Sequence, residues 1–178
     1  MRMNAGEYIL TRGLPKTGEI ITEPEGCDGF YQAGWWVGEK INGHKQRFIA
    51  KTIGGDDVVI DLATGLMWAA NAAVKGCAYN ATLTWVLAIQ YGNDLDFAGF
   101  KDWRLPNRFE LGSITDNSLI TPAIKEPPFA NTNSFEYWAS STPYLHPTTG
   151  FYTHFSRGTT GIHERTSSHY LRCVRGGL

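Results

Sequence analysis

The residues best suited to chemistry crowd one end of the chain, between Trp138 and Arg175: "WASSTPYLHPTTGFYTHFSRGTTGIHERTSSHYLRCVR". Four of the five histidines fall here, with paired serines at 140 and 141, and no Asn, Asp, Lys or Gln. Histidines and serines together raise two chemistries, a hydrolytic nucleophile with its base and a transition-metal site. Neither pattern is completed. No Gly-x-Ser-x-Gly elbow surrounds Ser140 or Ser141. No His-Glu-x-x-His or helically spaced His pair occurs. A hydrolytic His also wants a carboxylate to orient it, and Glu164 is the segment's single acid. We therefore expect no catalytic residue, no metal and no cofactor, with convergence of His154, His163 and His169 as the metal alternative.

The same residue types suit recognition. Tyr and Phe give rigid contact area, Arg gives forked hydrogen bonds, and Ser and Gly adapt, as in antibody loops. Aromatic and polar residues interleave here in turn-rich sequence, where binding residues tend to sit. The expected contact set is Tyr144, His146, Phe151, Tyr152, His154, Arg157, His163, Arg165, His169 and Tyr170. The competing reading is a set of edge strands turning Thr and Ser to water. Protonated histidines on such a face would strengthen binding of an anionic glycan toward acid.

Something must hold that face. Residues 1–34, rich in Gly, Pro, Thr and Glu, read as an extended arm, leaving 35–178 as the domain. "QRFIAKTI" and "DDVVIDLATGLMWA" predict strands. The second contains a tight turn at Ala63-Thr64-Gly65, with Asp61 able to bond the turn backbone. "NATLTWVLAIQYGNDL" predicts a helix capped by Thr82 or Thr84. "DWRLPNRFELGSITD" predicts a shorter one, with Pro106 at or just before its first turn. A Pro-rich loop follows. Then come short strands in "EYWASS", "GFYTHFS", "GIHERTS" and "YLRCVR". Strands, two helices and antiparallel strands make an α+β layout, not alternating βαβ.

Several other candidates weigh toward structure. Asp56, Asp57 and Asp61 could ligate a metal, but "GGDDVVID" reads better as a turn opening a strand. The carboxylates of "NDLD" (93–96) match no calcium loop. Trp103, Arg104 and Glu110 could flank a reacting group. An Arg packed by Trp and paired with a helix Glu more often locks a loop to a core. Trp68, Trp85 and Trp138 are expected in the core. Cys27, Cys77 and Cys173 stand in no CxxC or CxxH arrangement. Three free thiols are expected, with one bridge and one free thiol as the alternative.

The 178 residues, 42% apolar and 13% aromatic, suffice for one folded domain with a real core. A formal charge of −1 gives no basic excess for nucleic acid. No apolar run approaches the roughly 20 residues of a membrane span. The stretch "MRMNAGEYILTRGLPKTGEI" lacks a signal's apolar core, so no export signal is expected here.

Three stretches together resemble one family. They are "VVIDLATGLMWA" (58–69), "FAGFKDWRLPNRFELGSI" (97–114) and "YWASST" with "YLRCVRGG" (137–142 and 170–177). The family is the C-terminal ligand-binding domain of bacterial collagen-like adhesins. "GLPKTG" (13–18), "CDGFYQAG" (27–34) and Arg47-Phe48 extend the resemblance toward the N-terminus. It implies a fold similar to C-type lectins and formylglycine-generating enzymes, with a twisted antiparallel sheet, two helices and a loop-rich face from the last strands. Trp68, Trp103, Arg104, Glu110, Trp138 and Arg172 would be its structural residues. It also implies a trimer that binds sulfated polysaccharides. The partner expected here is a surface glycan or a protein receptor. The alternatives are an oxidoreductase of the formylglycine-generating type and a trimerising module of a fibre or virion. This chain departs from the pattern in two ways. Relatives often carry a first-helix cysteine able to bridge to the one before "VRGG", and "AIQYGNDL" has none, so Cys173 lacks that partner. The calcium-binding signature of lectins is absent as well, "EPP" (126–128) being a partial echo.

The C-terminal composition carries a further resemblance. An Asn codon randomised at its adenines never yields Lys, Glu, Gln, Met or Trp. From Pro143 to Leu171, 28 of 29 residues fall in the reachable set, Glu164 excepted, where average composition gives about six exceptions. This is similar to the variable region of retroelement-diversified proteins, which also use a C-type lectin fold.

Overall fold

The computed structural model describes Glu23, residues 39–41 and residues 44–176. The expected arm, Cys27 and the 13–34 part of the resemblance lie outside these, Glu23 excepted. Eleven strands are present among the described residues. They are β1 (Glu39–Ile41), β2 (His44–Gln46), β3 (Phe48–Ile53), β4 (Asp56–Asp61), β5 (Leu66–Ala69), β6 (Leu83–Thr84), β7 (Glu136–Trp138), β8 (Thr149–His154), β9 (Thr159–Glu164), β10 (Ser168–His169) and β11 (Val174–Arg175). Two α-helices, α1 (Trp85–Asn93) and α2 (Arg108–Ser113), and a 3-10 segment at Lys75–Asn80 lie among them. Every named strand pair is antiparallel. The result is mixed α+β, with small sheets and short helices.

The central sheet has the order β11-β5-β4-β3. Its β4–β5 hairpin forms because Asp61 organises it. The carboxylate accepts from Ala63 N–H at 3.0 Å and Thr64 Oγ1 at 2.8 Å. It also accepts both arms of the Arg47 fork, at 2.8 and 2.6 Å. Gly65 closes the turn at φ 74°, a value that glycine adopts without strain. The chain's end then adds β11 beside β5, pairing Val174 with Trp68.

Two cores result, one on each face of the strands. Side chains alternate along a strand, so adjacent residues serve different cores. Val58 joins Ala69, Ala88, Phe97, Trp103, Trp138 and Leu171. Val59 joins Trp68, Leu111, Ile114, Phe129, Tyr137 and Phe155. Helix α1 covers the first core through Ala88 and Ile89. Helix α2 covers the second through Leu111 and its C-cap residue Ile114.

The helix ends differ from expectation in detail. Thr84 occupies the α1 N-cap and pairs with Ser168 in the β6–β10 ladder, but its side chain makes no cap bond. Helix α2 is capped by Asn107, one residue past Pro106. Asn107 accepts from Phe109 and Glu110 N–H, while Glu110 accepts from Asn107 N–H, a reciprocal capping box. Glu110 also takes the Arg104 fork at 2.7 Å on each oxygen, which holds the Arg104 charge above its ordinary pKa. Arg104 reaches on to Gly176 O. "DWRLPNRFEL" thus ties loop, helix and C-terminus together. Trp103 is buried beside it, donating to Phe97 O.

Candidate ligand-binding face

The last part of the chain builds the three-stranded sheet β7-β8-β9. Its register decides which candidate residues share a face. Glu136 pairs with His154, Trp138 with Tyr152, Tyr152 with Gly161 and Gly150 with His163. These lie on the α1 side, where Tyr152 packs against the first core. Phe151 pairs with Ile162, and Tyr137 with Thr153. These lie on the α2 side, where Phe151 and Tyr170 pack against the second core. The neighbours Phe151 and Tyr152 therefore look in opposite directions, and the ten candidates do not form one surface.

On the α1 side the histidines gather. His163 Nδ1 lies 2.8 Å from His169 Nε2, so one proton is shared between the rings. Their rings stack at 4.9 Å, with Tyr152 4.7 Å from His163 and Trp138 4.3 Å from His169. His154 turns instead to Ser156 and, at 3.6 Å, to Glu136. His163 is exposed, but His169 is only 8% exposed. His169 accordingly braces His163 and does not itself offer a contact surface. Among the described residues no group of three or more His, Cys, Asp or Glu could hold a metal.

Burial and then the neighbouring His163 push the His169 pKa down to about 4, against a partial opposing pull from Glu136. This has a consequence for stability. The folded state refuses a proton that the unfolded chain accepts below its ordinary value of 6.5. Stability is full above pH 6.5 and falls as pH drops from there to about 4. The whole shift would be worth about 3 kcal/mol, and access of water through His163 cuts this to roughly 1–2 kcal/mol. Unfolding free energies from urea titrations at pH 7 and pH 4.5 should differ by that amount in wild type, and by much less in His169→Phe. An equal fall in both would assign the acid sensitivity to other groups.

The α2 side holds residues that the sequence pattern did not single out. The Arg108 guanidinium sits 4.5 Å from the Phe109 ring centre and 4.6 Å from that of Phe151. It forms no side-chain hydrogen bond or ion pair among the described residues. Phe109 is 72% exposed, and Ile162 is exposed beside Phe151. Arg108 N–H bonds Ser141 Oγ, fixing the root of the 141–148 loop. That loop presents Tyr144 and Leu145, 95% and 80% exposed, and the exposed His146. Arg165 stands at its other flank. It lies 4.1 Å over the half-buried Trp85 ring and donates to Thr149 O and Thr142 Oγ1. Arg157 is exposed on the β8–β9 turn, at the opposite end of β8 from this loop. The signal for Arg108 and Phe109 was an apolar residue at the second position of a helix, where the core-facing stripe does not need one.

Other candidates are tied into the scaffold. Asp56 accepts from Ala98 N–H, Asp57 from Thr52 Oγ1 and Asp96 pairs with Lys101. Trp68 and Trp138 are buried, Trp138 donating to Leu83 O. Arg172 is wholly buried, donating to Ala69 O, Ala70 O and Thr132 Oγ1. A cavity of about 300 Å³ opens between β3–β4 and the 128–130 segment, lined by Lys51, Thr52, Asp57, Asn71 and Pro128. It belongs to the central sheet, not to the C-terminal one.

The class defined by this geometry is an α+β domain whose chain end builds a second antiparallel sheet with a projecting loop. The match of residues 57–175 to the model for the Lcl C-terminal domain makes the family explicit: the chain belongs to it. No curated protein matches the chain.

Proposed function

We propose that this domain is a non-catalytic recognition module of C-type-lectin-like fold. It binds an anionic surface glycan along the α2 side of its C-terminal sheet. The observation that supports this most is the Arg108 guanidinium held between Phe109 and Phe151 with its N–H fork unengaged among the described residues. A flexible Arg loses rotamer freedom on binding, whereas a clamped one has already lost it. Its fork suits a carboxylate or sulfate bidentately. Phe109 and Tyr144 add faces on which sugar rings can stack. The ligand class follows the family resemblance, as does the expectation of a trimer.

A glycan array tests the reading. Wild type should bind, and Arg108→Ala with Phe109→Ala should weaken binding at least about tenfold. Tyr152→Ala with His163→Ala, on the other side, should leave it nearly unchanged. The reverse pattern would move the site to the α1 side. An array silent for all three would overturn the glycan in favour of a protein receptor or an assembly role.

Sequence diversification of the C-terminal segment, on both sides of its sheet, is a compatible second reading. Of the ten candidate positions, only His169 is buried, as a repertoire of contact residues requires. A near-identical, adenine-rich template repeat beside a reverse-transcriptase gene is its necessary genomic mark, and a locus without one would exclude it.

A further inference from the structure

Cys77 and Cys173 lie far apart in sequence, and nothing in their spacing couples them. The fold brings them together. Both are free thiols and both are buried, at 1% and 0% exposure. They sit in the same core, among Ala69, Phe97 and Trp138. The Cys173 N–H donates to Gly76 O at 3.2 Å, so the segments carrying the two cysteines are bonded edge to edge. Gly76 lets the segment before Cys77 pack closely on Ala69 and Phe97 of that core. A Cβ there would stand 2.5 Å from Ala69 Cβ and 3.0 Å from the Phe97 ring.

We infer that Cys77 and Cys173 are a disulfide-forming pair, closing a bridge from the 75–80 segment to the C-terminal strand when the chain meets a disulfide oxidant. The oxidant is a small-molecule or enzyme disulfide, RS–SR. One cysteine thiolate attacks it, releasing one RS⁻ and leaving a mixed disulfide. The second cysteine displaces the other RS⁻. One S–S bond forms in the protein, one breaks in the oxidant, and the two cysteine protons leave on the two RSH products. Oxidation of the protein balances reduction of the oxidant.

Burial dictates when this happens. The thiolate is the attacking species, and burial raises both thiols above their ordinary range, against a partial opposing pull from the Arg172 charge. In the closed fold the pair is slow to react. Exchange proceeds during folding, or when the 75–80 segment opens. That segment is suited to opening, for Ala78, Tyr79 and Asn80 all hold positive φ, at 51°, 54° and 61°. The bridge would therefore record whether the chain folded in oxidising surroundings, as a surface-displayed domain does. This inference does not depend on the ligand reading.

The experiment uses the full chain carrying Cys27→Ser, refolded in a mixture of reduced and oxidised glutathione, with wild type alongside. Unfolded in excess alkylating agent, the oxidised Cys27→Ser sample should take up no label. A non-reducing peptide map should show the peptides of Cys77 and Cys173 joined. Its Tm should exceed that of the reduced sample by about 5–10 °C. Labelling of both cysteines in the oxidised sample would overturn the pairing. So would a wild-type map in which Cys27 takes either one as its partner.

Discussion

Arg172→Met should destabilise the domain by about 3–5 kcal/mol, more than any single change on the ligand face. The guanidinium is buried to 0% exposure, and none of its hydrogen-bond partners is a carboxylate. Its partners are neutral, Ala69 O at 2.6 Å, Ala70 O at 2.7 Å and Thr132 Oγ1 at 2.8 Å, with the Phe129 ring 5.1 Å away. These acceptors come from β5, the residue after it and the 130s loop, so one side chain joins three parts of the chain. Methionine fills much of the volume but donates nothing. Ala70 O would keep the Ala130 N–H, while Thr132 Oγ1 would lose a buried donor. Each buried group left unsatisfied costs about 1–3 kcal/mol. Arg172→Lys should recover little, because an ammonium cannot reach both carbonyls and Thr132 while lying on Phe129. Urea denaturation of the two variants checks this. A Lys variant as stable as wild type would show that the charge matters and the fork does not.

Much of the scaffold was legible for local reasons. Asp61 and Gly65 mark a hairpin because turn chemistry is confined to a few residues. The pairing of Arg104 with Glu110 was readable because the two lie close in sequence beside a tryptophan. Asn107 with Glu110 three residues on is an equally local capping signature, one residue past Pro106. The candidate face was less legible. Composition located the C-terminal segment but not its two sides, since a one-residue step along β8 sends Phe151 toward α2 and Tyr152 toward α1. Arg108 and Phe109 join the face from a distant helix through Ser141, a contact with no trace in spacing. The same limit hid Cys77 beside Cys173. Their proximity is a property of how β11 returns alongside β5, and first-helix spacing pointed away from it.

Gly150 and Gly161 give a matched pair of substitutions in which the same added methyl should have different outcomes. A Cβ on Gly150 would stand 2.5 Å from Trp85 Cδ1 and 2.7 Å from its Nε1. Trp85 cannot easily retreat. Its Nε1 donates to Ala139 O at 2.8 Å, its backbone N–H to Arg165 O, and the Arg165 guanidinium covers its ring. Gly150→Ala should therefore cost about 1–3 kcal/mol by overpacking. It should also push Arg165 off its perch, freeing it from Thr142 at the root of the Tyr144 loop. A Cβ on Gly161 would meet Tyr152 instead, 2.5 Å from the hydroxyl. That is the outer end of a half-buried ring whose hydroxyl makes no hydrogen bond among the described residues, so it can give by a small rotation, and Gly161→Ala should cost less than Gly150→Ala, about 1 kcal/mol. Denaturation midpoints separate the two, and near-UV circular dichroism should change more for Gly150→Ala because a tryptophan moves. If the ligand lies on the α2 side and the adjoining loop, Gly150→Ala weakens binding through Arg165 and the loop. Gly161→Ala, which disturbs only the α1 side, leaves it intact. Equal loss of binding in both would mean that the two sides of the sheet act as one site.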